Sequence, residues 1–161
     1  MKKIDSIGLK MCSYQASLFE YSIEQTKCSS AIFVRRFMNS DLAKRMDSTG
    51  FLFDSTNFRA AIDELESQYG SSTYGIEKYT HDEMHWMGYI YRYWAYVSDK
   101  TSKQVYRMMK PGELRKLFFP YHSLDPAQAI GRILEANGID INNQIARGVE
   151  ILRRVRKKSE K

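Results

Sequence analysis

At 161 residues and 18.9 kDa the chain has room for one domain with a real core, and 43% apolar and 13% aromatic residues argue against wholesale disorder. The net charge of +6 is a local property, because from Arg147 onward seven basic residues face only Glu150 and Glu160, which leaves about +1 for everything before them. No apolar run reaches bilayer-spanning length, Met1–Gly8 lacks the apolar block of a signal peptide, and Cys12 and Cys28 have no CxxC spacing, so a membrane protein and a disulfide framework are excluded and a reduced, cytoplasmic protein is expected.

Residues 1–12 read as an N-terminal arm. Beyond it Ala16, Leu18, Phe19 and Ile23 recur at near-helical spacing, which predicts a helix over 14–23. Ser29-Ser30 caps a second helix whose Phe33, Val34, Phe37 and Met38 form one apolar stripe, leaving Arg35 and Arg36 exposed beside it. Asn39-Ser40-Asp41 breaks that helix and caps the next, over 42–46. Phe51-Leu52-Phe53 reads as a short strand that pairs with 74–79 in a two-stranded ribbon. Between the two, 58–66 is a helix closed by Tyr69-Gly70.

The run 80–98 holds both tryptophans and four of the eleven tyrosines. Thr80 and Glu83 make a capping box, so a helix begins there. Glu83, Trp86, Met87, Ile90, Trp94 and Val97 share one side, all but the first apolar; His85, Tyr89, Arg92 and Tyr96 share the other. Tyrosine and arginine combine large area, few rotamers and a polar tip, which suits an interface or a stacking platform. The plainer reading of the same stripe is a second core face, because a helix this aromatic is buried on most sides.

Further start signals follow. Thr101 with Gln104 is a second capping box, Pro111 is placed as a first-turn proline, and Asp125-Pro126 opens a helix that ends at Asn137-Gly138. Asp140 caps a last helix. Its Ile141, Ile145, Gly148, Leu152 and Val155 form a coiled-coil-like seam, which offers a homodimer contact over 141–155. The cations Arg147, Arg153, Arg154, Arg156, Lys157 and Lys158 are candidates for binding nucleic acid or an acidic partner. Positive charge also complements a helix C-terminus with no function at all. The expected fold is mainly α: an arm (1–12), a single compact multi-helix domain with one ribbon (13–139), and a basic amphipathic C-terminal helix (140–161).

Catalytic patterns are weak. His81 and His85 lie four apart, as zinc ligands do on one helix face. Asp82, however, holds the place where a zincin has its glutamate, and His81 sits in the first helical turn. The cysteines have no partner histidine nearby in sequence, and there is no GxSxG elbow. The glycines of Gly70-Ser71-Ser72-Thr73-Tyr74-Gly75 lack the Lys-Ser/Thr of a phosphate loop. The chain is therefore expected to be a non-enzyme without metal or cofactor.

Residues 29–135 resemble a family of small bacterial antitoxin-like proteins. The likeness is carried by Phe33-Val34-Arg35-Arg36-Phe37-Met38-Asn39-Ser40-Asp41-Leu42-Ala43-Lys44-Arg45, by Gln68-Tyr69-Gly70-Ser71-Ser72-Thr73-Tyr74-Gly75 and by Met87-Gly88-Tyr89-Ile90-Tyr91-Arg92-Tyr93-Trp94. Lys110-Pro111-Gly112-Glu113-Leu114-Arg115 and Pro120-Tyr121-His122-Ser123-Leu124-Asp125-Pro126 complete it. The resemblance implies a cytoplasmic protein that binds a cognate toxin, in a phage-defence setting, and supplies no catalytic residue. His85, Tyr89, Arg92 and Tyr96, with Arg35 and Arg36, are the expected partner-binding residues. Nucleic-acid binding through the basic C-terminal helix is the alternative.

Overall fold

A computed structural model of the chain describes residues 2–48 and 57–136. Among these every regular element is a helix: α1 (Ser6–Gln25), α2 (Ser30–Met38), α3 (Asp41–Asp47), α4 (Phe58–Tyr69), α5 (His81–Val97), α6 (Ser102–Met108), α7 (Pro111–Lys116), α8 (Phe118–Tyr121) and α9 (Pro126–Ala136). None is long and apolar enough to cross a membrane. The chain divides into two compact units, one of Lys2–Ser123 and one beginning at Leu124. The basic segment from 140, with its seam and its cations, lies outside the described residues.

In the Lys2–Ser123 unit the main packing is α1 against α5. The helices run antiparallel, so that His85 meets Glu20, Arg92 meets Gln15 and Tyr96 meets Asp5. Gly88 permits the approach: a Cβ there would lie 2.7 Å from the Gln15 carbonyl oxygen and 2.9 Å from the Ala16 Cα. The rest of the core gathers on this pair. The Phe19 ring meets Phe33 and Phe37 of α2 edge-on, with centroids 5.4 and 5.1 Å away. The expected stripe Phe33, Val34, Phe37 and Met38 is buried throughout. Trp86 reaches Phe118 of α8 at 5.8 Å, and the Tyr91 hydroxyl donates to the Met109 carbonyl at 2.8 Å.

The caps account for where the helices start. Ser29, Ser40 and Asn57 accept from the backbone N–H groups of Ile32, Ala43 and Ala60, and both expected capping boxes form, at Thr80/Glu83 and Thr101/Gln104. In the unit from Leu124, the Asp125 carboxylate accepts from the Ala127 N–H at 2.9 Å, and Ala129, Ile130, Ile133 and Leu134 are buried.

Two expectations change. The segment read as an arm is mostly helix, because α1 begins at Ser6, where Asp5 caps it by accepting from the Gly8 N–H at 2.8 Å. The stretch 74–79 is not a strand, and its expected ribbon partner at 51–53 lies outside the described residues. Its backbone pairs instead with the start of α2. The Ser29 and Ser30 N–H groups donate to the Tyr74 and Glu77 carbonyls at 3.0 Å, and the Tyr79 N–H donates to the Ser30 hydroxyl at 2.9 Å. An extended segment can satisfy its hydrogen bonds on a helix N-terminus, whose first N–H groups have no partner within the helix.

Candidate functional site

Of the aromatic-polar stripe of α5, Arg92 lies inside the α1–α5 seam, Tyr89 and Tyr96 are half-buried, and His85 is exposed. Arg92 is 2% exposed, and its guanidinium donates to Gln15 (2.8 Å), Asp47 (2.7 Å) and Ser102 (2.8 Å), tying α1, α3 and α6 to α5. Burial pulls its pKa below the ordinary arginine value, and the Asp47 carboxylate opposes that shift. Gln15 closes the network by donating to the Gly88 carbonyl at 3.0 Å. The Tyr96 hydroxyl donates to Asp5 at 2.8 Å and its ring lies under the Lys2 ammonium at 4.3 Å. Tyr89 is half-buried and stacks on Tyr93, with centroids 6.3 Å apart.

The expectation that Arg92 anchors a partner is therefore corrected: a side chain sealed by three helices offers no surface. The periodicity of α5 was sound, but periodicity cannot tell a groove from a face that another helix covers. Here α1 supplies polar groups that match the stripe.

His81 and His85 are brought together, but against carboxylates. His81 contacts Glu24 at 2.7 Å and Glu20 at 3.3 Å; His85 contacts Glu20 at 3.2 Å. The hydrogen bond to Glu24 is the main cause that raises the His81 pKa, with Glu20 adding to it. Among the described residues no group of three or more His, Cys, Asp or Glu side chains is arranged to hold a metal ion. Both cysteines are buried, and burial lifts the Cys12 thiol to about 12, which leaves it protonated and unreactive at neutral pH.

Arg35 and Arg36 lie elsewhere, in a cleft of about 590 Å³ bounded by α2, the loop after α4, and α6. The burial of Phe33, Val34, Phe37 and Met38 turns the two arginines outward. Across the cleft α6 buries Ser102 and Val105 and presents Lys103, Tyr106 and Arg107, with Lys110 just beyond. Tyr69 and Tyr74 complete the wall, and among the described residues no carboxylate lines it.

The cations are arranged around the rings. The Arg36 guanidinium sits 5.5 Å from the Tyr69 centroid and donates to the Gly70 carbonyl at 2.6 Å, and the Lys110 ammonium sits 4.1 Å from the Tyr106 centroid. Burial raises the Tyr106 pKa while Arg35 pulls it down, so the field of α2 reaches across to α6. Arg45, Arg59, Arg92 and Arg115 each pair with a carboxylate. Among the described residues none of the five cleft cations does.

Sequence reasoning found Arg35 and Arg36 but missed Lys103, Arg107, Lys110 and the three tyrosines. The signal was faint: Lys103 and Arg107 are four apart, as are Tyr106 and Lys110, so α6 and its end carry a basic-aromatic face. Acidic residues elsewhere hid the cluster in a near-zero total. No protein-family model matches the chain, and comparison with curated proteins and with solved structures finds no match.

Proposed function

We propose that the protein acts by binding rather than by catalysis, and that its ligand is the phosphate backbone of a nucleic acid held in the basic cleft. One observation carries this reading: Arg35, Arg36, Lys103, Arg107 and Lys110 converge on one concavity that, among the described residues, no carboxylate lines. Like charges held together repel, and phosphates relieve that repulsion while releasing their own counterions. The cations from Arg147 onward add to the same preference by charge alone. A cytoplasmic setting belongs to this reading, as does the absence of any cofactor requirement.

Capture of a cognate toxin is the second reading, and exposed apolar side chains favour it. Tyr74 and Ile76 are 75% and 96% exposed on the segment leading into α5, where they could anchor an acidic protein face. It ranks second because Arg92, expected at the centre of that contact, is spent inside the fold.

The test is fluorescence anisotropy with labelled 20-nucleotide oligomers at low salt, about 50 mM. The wild-type chain should bind. Arg35→Glu with Arg107→Glu, its circular dichroism unchanged, should lose about tenfold or more in affinity, because each reversal replaces an attraction with a repulsion. Absence of binding by the wild type overturns the reading. Undiminished binding by the double variant removes the cleft from it.

A further inference from the structure

We infer that the cleft takes a single-stranded nucleic acid, with one unpaired base stacked on Tyr74 while the adjoining phosphates lie among Arg35, Lys103 and Arg107. This deepens the proposed function and rests on it. A duplex presents phosphates but hides its base faces, so cations alone would suffice to hold one. Tyrosine rings beside the cations are useful to a ligand that shows its bases.

Tyr74 is the ring best placed for the purpose. Tyr69 and Tyr106 already have Arg36 and Lys110 within cation–π distance, whereas Tyr74 stands at the rim with 75% of its surface in water. An exposed aromatic on a loop would ordinarily lose freedom on stacking, and that entropy would weaken the contact. The backbone here is held beforehand. The Tyr74 carbonyl accepts from the Ser29 N–H at 3.0 Å, and its own N–H donates to the Ser72 hydroxyl at 3.1 Å.

Gly75 then turns the chain at φ +76°, where a Cβ would lie 2.6 Å from the Ser29 hydroxyl oxygen. Three residues on, Lys78 donates to the Thr26 carbonyl at 2.7 Å, fastening the far end of the segment. The ring is therefore carried on a fixed strut, which is the preorganisation that makes a stacking contact favourable. A volume of about 590 Å³ lies within the usual range for ligand pockets, so the contact spans one or a few nucleotides and not a long tract.

The experiment compares four labelled ligands of one length by anisotropy: oligo(U), oligo(dT), and duplex RNA and DNA. The full-length protein should bind the single strands about tenfold or more tighter than the duplexes. Tyr74→Ala should weaken single-strand binding by roughly tenfold, Tyr74→Phe should restore it, and neither should alter duplex binding. Equal affinity for single strands and duplexes, or an unchanged affinity in Tyr74→Ala, overturns the single-strand inference while leaving nucleic-acid binding standing. Failure of all four ligands to bind overturns both, and points to an acidic protein surface as the occupant. A preference between oligo(U) and oligo(dT) reports contact with the ribose 2′-hydroxyl and separates RNA from DNA as the source of the strand.

Discussion

Arg92 shows how one residue can hold four helices and yet be replaceable only together with its partner. Its guanidinium is sealed, and the Asp47 side chain that answers it is 10% exposed. Breaking such a pair from one side leaves a charge in a site built for two, at a cost of about 3–5 kcal/mol, whereas removing both charges costs far less. Arg92→Met should therefore lower the unfolding free energy by that amount in urea titration, and Arg92→Met with Asp47→Asn should recover part of it. Full additivity of the two substitutions would show that the pair is not coupled. Glycine supplies a second contrast at this scale. Gly88→Ala forces a methyl into the α1 backbone and should cost about 1–3 kcal/mol by the same measurement. Gly112→Ala, in α7, meets no atom within 4 Å and should be neutral or stabilising by up to about 1 kcal/mol.

For the elements, the caps were the most legible part of the sequence. Ser29, Ser40, Thr80, Thr101 and Asp125 each start a helix as their spacing foretold, since a cap is written in residues three apart and needs no tertiary information. The stretch 74–79 reads as a strand because an extended segment with alternating side chains looks the same whether its hydrogen bonds go to a strand or to a helix end. Within the α5 stripe the burial of Arg92 is not legible from spacing, because its cover, α1, lies some seventy residues away in sequence, whereas His85 stays exposed. The basic cleft was half legible: Arg35 and Arg36 were in view, but their juxtaposition with α6 is a product of packing. A pH dependence is expected at the seam between α1 and α5. His81 holds its proton more tightly in the folded state, through Glu24 and then Glu20, than the ordinary value near 6.5. A raised histidine contributes stability that is complete below the unfolded value and is lost as pH rises through the folded one. The melting temperature should fall as pH is raised from about 6 to about 8, the range around that value, and His81→Gln should flatten that fall. An identical slope in the variant would assign the dependence to other groups.

For the molecule as a whole, the question is which of two basic regions a polyanion would feel. The first 146 residues carry a net charge near +1, yet they hold five cations around one cleft; the remainder carries most of the surplus without a described structure. Salt separates the two, because the slope of log affinity against log salt counts the phosphates neutralised, at roughly −0.7 each for a single strand. Three cleft contacts, at Arg35, Lys103 and Arg107, would give a slope of about −2. Arg35→Gln with Arg107→Gln in the full chain should make that slope shallower by about 1.4, with intact circular dichroism. Arg153→Gln, Arg154→Gln and Arg156→Gln together should leave it nearly unchanged if the cleft is the seat of binding. If the tail is the seat, the pattern inverts: the triple variant loses about 2 from the slope and the cleft variant loses nothing. Because the tail variant loses three charges and the cleft variant two, a field effect of total charge would shift the tail variant more. A selective loss in the cleft variant is thus a statement about where the charges sit, which composition alone could not make.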